Sequence, residues 1–554
     1  MTRSTSLRLA VLLASAAWPA AAHAQDQQGE QDGPRRHHAG KAEVTPYIEV
    51  DQDFSAELQP GDDTVTYTAV AAGVDGTITG RNSAASASVR YERRFGEGRN
   101  ADDSDTVSGV ARASIALVPH AVTLEAGGLA ERTHVDGNGA ASLGGVFGNE
   151  ADSSQIYSAY IGPSVHTMTG PVEIEGHYLF GYTKVEAPDA VVAAPVVQPN
   201  DIFDESTVHN AYVRAGVRPN TIAPIGVGVG GGWNEQDISN LDQRIRDRYV
   251  RGDVTVPVAP TVALVGGVGY EDVEVSSRDA RRDAAGDPIV DSHGRYVTDE
   301  SAPRQIAYQT EGLIWDAGVM WRPSRRTSLE AYIGRRYGEL TGWGTFTYAP
   351  DPHMNISIAV YDNLTGFGGL VTDTLSKLPS QFDAFRDPIT GEIGGCVAQT
   401  GGQPAGGTCI AGALASVRSA VFRSQGAAAS YGVEVGRTQF GVGVGYDRRK
   451  FIAAPGTVLA TANGVVDETV WVAGYATQRI DNRSTLSANA YANWFQSGFD
   501  LNADTIGYTA SLAYNHQFVG GLSGMAAVGL DGITRQSLPD FATASALVGL
   551  RYSF

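Results

Sequence analysis

The sequence predicts an all-β chain: one large antiparallel transmembrane β-barrel of about 22 strands, within a range of roughly 18 to 22, with no N-terminal plug. Three observations predict it. The chain ends on an alternating strand in which Ala546, Val548, Leu550, Tyr552 and Phe554 share one face, while Ser545, Gly549, Arg551 and Ser553 share the other. Alternating segments recur along the whole chain, joined by short turns and long polar stretches in alternation. Past the N-terminus, no uninterrupted apolar run reaches the ~18 residues of a spanning helix.

The last strand is the most specific of these signals. Period-2 patterning places apolar side chains against lipid and their neighbours against a lumen, and a terminal aromatic is how a closing outer-membrane strand ends. Phe554, Tyr552, Leu550 and Val548 are therefore the candidate signal for the barrel-assembly machinery.

At the other end, Arg3 and Arg8 precede an apolar stretch, residues 9–22, closed by the small-residue triplet Ala22-His23-Ala24. That is the pattern of a secretory signal cut before Gln25. The stretch is too short for a membrane anchor and Pro19 interrupts it. Residues 1–24 are thus expected to be a signal peptide, 25–41 a flexible periplasmic lead-in, and 42–554 the barrel. A lead-in of about 17 residues cannot build a folded plug.

Charge narrows the partners. The chain carries a formal −20, and loss of Arg3 and Arg8 with no acid takes the exported form to −22. Phosphate backbones need a basic surface, so nucleic acid is excluded. The expected surroundings are outer-membrane lipid and the assembly machinery, with polysaccharide or small solutes as cargo. The 67 glycines fit a sheet whose inner face is not packed like an ordinary core.

Alternating segments of roughly 9 to 15 residues, long enough to cross a bilayer when tilted, run from 43–58 to 541–554. Brief turns rich in Gly, Pro, Asn or Asp fall at 80–81, 119–120, 169–171, 219–224, 259–260, 323–326, 350–353, 436–437, 481–483 and 520–521. The intervening connections include long Asp- and Gly-rich stretches at 96–105, 134–152, 187–206, 236–244, 276–305 and 364–420. Outer-membrane barrels alternate short periplasmic turns with long external loops in this way, which makes the strand number even. A secreted sandwich or propeller would also alternate, but explains neither this rhythm nor the aromatic terminus.

Local motifs add little chemistry. Residues 226–231 satisfy a G-x-G-x-x-G string, but no helix follows, so small residues in a strand are the better reading. Arg251-Gly252-Asp253 lies inside an alternating segment rather than at a loop tip. His37-His38 lacks further ligands. No G-x-S-x-G or H-E-x-x-H pattern occurs, so no catalytic, metal or cofactor-binding residue is assigned and the chain is expected to be non-enzymatic.

Two groups stand out. Cys396 and Cys409 are the only cysteines and bracket a Gly-rich stretch in the longest loop. In an oxidising compartment a disulfide is the favoured reading, clamping a loop that caps or constricts the pore. Arg335, Arg336, Arg448 and Arg449 sit close to Tyr337, Tyr446 and Phe451. They are candidate pore-lining groups that would set a transverse field opposite acids. The alternative, rim arginines snorkelling to water, stays open.

The stretch Trp321-Arg322-Pro323-Ser324-Arg325-Arg326-Thr327-Ser328-Leu329-Glu330-Ala331, continued by Tyr332-Ile333-Gly334-Arg335-Arg336-Tyr337-Gly338, resembles the outer-membrane β-barrel family associated with PEP-CTERM and exopolysaccharide systems. The resemblance implies a strand, a Pro-Ser turn and a second strand ending on Arg-Arg-aromatic, and no shared catalytic set. The expected function is a porin-like or exopolysaccharide-associated conduit in the outer membrane. A structural or surface-interaction barrel with a closed lumen is the alternative, and an outer-membrane hydrolase the outsider.

Overall fold

The computed structural model describes residues 40–97, 103–135, 141–142, 153–186, 202–399, 407–414, 416–499, 504–536 and 539–554. The expected signal peptide, most of the expected lead-in and the question of a plug lie outside the described residues.

The first sector of the wall is β1 (Lys41–Gln59), β2 (Thr64–Thr79), β3 (Ser83–Glu97), β4 (Ser104–Val118) and β5 (Val122–Val135), with a two-residue extension, β6 (Ala141–Ser142). Next come β7 (Ser153–Thr169), β8 (Val172–Glu186), β9 (Glu205–Val217), β10 (Gly226–Ile238), β11 (Gln243–Ala259) and β12 (Val262–Ser277). β13 (Gln305–Ser324), β14 (Thr327–Arg336), β15 (Glu339–Asp351) and β16 (Met354–Thr365) continue the wall. A helix, α1 (Phe367–Ser376), and three short strands, β17 (Phe382–Arg386), β18 (Ile393–Gln399) and β19 (Gly407–Cys409), then form an inserted segment. The wall resumes with β20 (Phe422–Val435), β21 (Thr438–Phe451), β22 (Val466–Arg479) and β23 (Ser484–Gln496). It ends with β24 (Thr505–Gln517), β25 (Leu522–Arg535) and β26 (Phe541–Ser553).

The main sheet has 23 strands, and setting aside β6 leaves 22 in a ring. Neighbours in the ring are neighbours in sequence and all pairs are antiparallel. β26 closes on β1, from Tyr47 opposite Ser553 to Gln59 opposite Ala542. The Phe554 amide completes the seam by donating to the Pro46 carbonyl at 3.0 Å. Short turns gather at one end of the ring, the periplasmic end of such barrels, and the long connections at the other.

Alternation explains both faces. In β1 the outward residues Ile48, Val50 and Phe54 are about half exposed, while Tyr47, Glu49, Asp51 and Asp53 between them are buried on the lumen side. The exterior is therefore apolar and the interior charged, inverted from a soluble protein, and the closed ring leaves no unpaired edge. Among the described residues no helix is long and apolar enough to cross a membrane. Val548, Leu550, Tyr552 and Phe554 all lie on the outer face, at 67%, 54%, 50% and 69% exposure.

Wide inner side chains are accommodated by glycine on the next strand. A Cβ on Gly73 would lie 2.4 Å from the Tyr47 ring, one on Gly232 2.4 Å from Tyr249 and one on Gly441 2.4 Å from Tyr475. Each ring lies flat across its neighbour's backbone, so the glycine fills no volume because the tyrosine already does.

Candidate functional site: a lumen entered by its own loop

The segment between β16 and β20 turns inward. Its entry is fixed by the Gly366 amide donating to Gln236 Oε1 at 2.9 Å, after which α1 lies along β5, β7, β8 and β9. Small residues permit this approach: a Cβ on Gly368 would fall 2.1 Å from Ser206 Oγ. Phe367, Val371, Leu375 and Leu378 bury themselves among Phe203, Tyr160 and Ile156.

Beyond the helix the segment reaches the far wall. Gln381 donates to Thr79, the last residue of β2 beside a periplasmic turn, and the Phe382 amide donates to Ser86 Oγ at 3.0 Å. From this depth it climbs again. Arg386 donates to the hydroxyls of Ser88 at 3.1 Å and Ser108 at 2.7 Å, while Asn489 on β23 donates to the Arg386 carbonyl at 3.1 Å. Arg94 donates to the Ile389 carbonyl at 3.0 Å, and the Ile393 amide to Glu131 at 3.2 Å. Arg132 pairs with Glu392 at 2.8 Å. On the way out Arg418 pairs with Asp467 at 2.9 Å, and Gln243 accepts from the Val421 amide at 3.2 Å.

The inserted segment is thus tied to strands all round the ring. Apolar contacts match the polar ones: Phe385 stacks on Tyr475 with centroids 3.8 Å apart. Ile389 packs with Tyr67, Ala513, Ala527 and Leu547. Burial raises the Asp383 carboxyl above its ordinary value, with Asp75 and Glu43 adding to the effect. Burial also raises Glu392, although Arg132 pulls the other way.

The wall itself carries arginine bridges that skip a strand. Arg90 on β3 reaches over β2 to Glu49 at 2.9 Å and Asp51 at 3.2 Å. Arg214 on β9 reaches Asp253 on β11 at 2.6 Å, and Arg251 on β11 reaches Asp316 on β13 at 2.6 Å. Each of the last two guanidinium groups lies over a glycine of the strand between, Gly228 and Gly267. The Arg251-Gly252-Asp253 tripeptide is therefore wall structure.

The four candidate pore arginines divide. Arg336 faces the lumen, 2.7 Å from Asp247 and over the Tyr249 ring. Arg449 also faces it, bonded to Asp447 at 2.7 Å and to the Ser416 carbonyl of the inserted segment at 3.0 Å. Arg335 shares the outer face with exposed Ile333, and Arg448 leans toward Glu468 at 3.9 Å on the face of exposed Tyr446. The expectation of four lumen-facing arginines is corrected to two. Adjacent residues of a strand point to opposite sides, so only one of each pair can line the pore.

Cys396 and Cys409 are directly opposite one another in the β18–β19 register. Tyr337, next to the arginine pair in sequence, occupies a two-residue hairpin with Gly338, both at positive φ of 54° and 69°, a turn matched to strand twist. Its buried hydroxyl donates to Asp247 at 3.2 Å.

An even-stranded antiparallel ring with an apolar belt and a charged interior defines a class: this is an outer-membrane β-barrel whose own loop enters the lumen. No family model and no curated protein matches the chain. Among solved structures it is similar to the FrpB iron transporter of Neisseria meningitidis, with a TM-score of 0.43 and 11% identity over 92% of this chain and 81% of that one. The siderophore receptor PiuA of Acinetobacter baumannii gives a TM-score of 0.41 and 10% identity, over 92% and 82%. The ferric enterobactin receptor PfeA of Pseudomonas aeruginosa gives 0.38 and 11%, over 93% and 81%. Likeness at this level transfers no substrate to the present chain.

Proposed function

We propose that this barrel is a gated, non-enzymatic conduit of the outer membrane, closed at rest by residues 366–421. The observation that carries the reading is the path of that segment: it leaves the external end of β16 and bonds to Thr79 at the periplasmic end of β2. A loop serving only the surface has no reason to descend the full wall. Its attachments are mostly single hydrogen bonds and ion pairs, individually weak enough to exchange for water. The exopolysaccharide association implied by residues 321–338 belongs to the same proposal, as the system in which the conduit would act.

A second reading, a sealed barrel for surface interaction, draws on the apolar cluster that unites α1 with Phe382, Val397, Leu414 and Val417, which packs like a permanent core. Planar-bilayer recording of the refolded full chain separates the two. A conduit gives mostly closed traces with brief openings, and replacing residues 366–421 by a short Gly-Ser turn gives sustained, much larger conductance. Silence of the intact chain across voltages and several lipids supports the sealed barrel. A replaced loop that leaves conductance unchanged removes the gate.

A further inference from the structure

Along one flank of α1 the inserted segment does not meet the wall. A cavity of about 520 Å³ separates the helix from β7–β11 and β14, within the range of about 300–1,000 Å³ typical of small-molecule sites. Its charged residues are already committed to one another: Glu125 to Arg112 at 2.8 Å, Asp373 to Lys377 at 2.6 Å and Asp247 to Arg336 at 2.7 Å. An anion entering here finds no unpaired cation, and a cation no unpaired acid. The groups left to a ligand are neutral: the phenol of Tyr212, the amides of Asn234 and Asn363, and the Asn210 amide nitrogen.

Asp247 is 5% exposed, its Oδ2 takes Arg336 and Tyr337, and its Oδ1 is closed off from the cavity, so recognition falls to the neutral groups. Phenol rings beside amides suit a molecule with many hydroxyls and apolar C–H faces.

We infer that this cavity is a binding site for a neutral polyhydroxylated solute of the sugar class, which rests on the conduit reading and names its cargo. The cavity borders α1 of the gate, so a solute held there would already lie beside the line of passage.

The test is calorimetric titration of the full chain in detergent with maltotriose, cellotriose and isomaltotriose, against trigalacturonate and spermidine. Saturable binding of a neutral trisaccharide, tighter than either charged probe, is expected. Tyr212→Ala should weaken it about tenfold. Should that variant fail to fold by gel mobility, Tyr212→Phe and Asn234→Ala carry the same expectation of a measurable loss. Preference for a charged probe, no saturation by any neutral trisaccharide, or undiminished binding in the folded variants overturns the assignment. Because no current is measured, sugar binding by a barrel that never conducts upholds this site while sinking the conduit.

Discussion

Two sectors of one ring handle lumen charge differently. In β1–β5, where the inserted segment lands, Arg90 and Arg94 are 8% and 4% exposed, and Arg90 is held by Glu49, Asp51 and Glu92 together. In β9–β13, which the segment touches through Gln236 and Gln243, Arg214 and Arg251 are both 23% exposed and spread across intervening glycines. The same alternation put arginine on the inner face in both places. How far that charge is desolvated follows how closely the inserted segment covers it, and burial is what makes each guanidinium depend on its carboxylate partners.

The comparison breaks most sharply on a matched pair of substitutions. Arg90→Met strands two buried carboxylates, Glu49 and Asp51, while Glu92 keeps Arg94, and should cost about 3–5 kcal/mol. Arg251→Met leaves Asp253 paired with Arg214 and strands only the buried Asp316, so a smaller loss of about 1–3 kcal/mol is expected. Urea midpoints of the folded, fast-migrating gel band measure both, and equal losses would show that the two sectors are not differently solvated.

The cysteine pair tests how firmly the landing segment is shaped before it docks. Opposed in register across β18 and β19, Cys396 and Cys409 are expected to be oxidised, and a closed loop of this size is worth about 3 kcal/mol in the chain-entropy model. Mass analysis after alkylation without reductant should find neither thiol modified. Cys396→Ser should lengthen channel openings without moving the wall's urea midpoint; a shift in that midpoint alone would assign the pair to the wall.

Glycine offers a contrast one residue wide in the open sector. A Cβ on Gly267 would lie 2.3 Å from the Arg251 guanidinium, whereas nothing lies within 4 Å of one on Gly266, which faces outward. Gly267→Val should therefore cost about 1–3 kcal/mol by overpacking, and Gly266→Val should stay within about 0.5 kcal/mol of the parent. The same urea series reads both, and similar midpoints would mean the bridge over Gly267 is not a fixed part of the wall.

How much of this was legible follows from the range of each interaction. Val548, Leu550, Tyr552 and Phe554 revealed the outer face because a strand writes its environment into every second residue. The split of Arg335 from Arg336 was in principle legible by the same rule. The landing of the loop was not. Leu547, Trp471, Tyr491 and Ile156 are hydrophobic residues on the lumen face, and in a period-2 reading they are only interruptions. Leu547 makes sense once Ile389 is seen against it, a contact between residues far apart in sequence that no local pattern encodes. Apolar residues on the wet side of a barrel were the available signal, since they need side chains inside the lumen to cover them.

The smallest effect expected is of pH, and it belongs to the packed sector alone. Asp383 and Glu392 ride on the inserted segment, and burial raises both carboxyl groups above their ordinary values. The docked loop therefore binds protons more tightly than an undocked one exposed to water. Docking is fully favoured below the ordinary carboxylate range and weakens as pH rises through the raised values. At fixed voltage, open probability should climb as pH rises above the ordinary carboxylate range, and Asp383→Asn with Glu392→Gln should flatten the climb toward the closed, acidic level. Opening on acidification, or an unaltered slope in the double variant, would place the titrating groups outside the gate and leave the two sectors equally indifferent to protons.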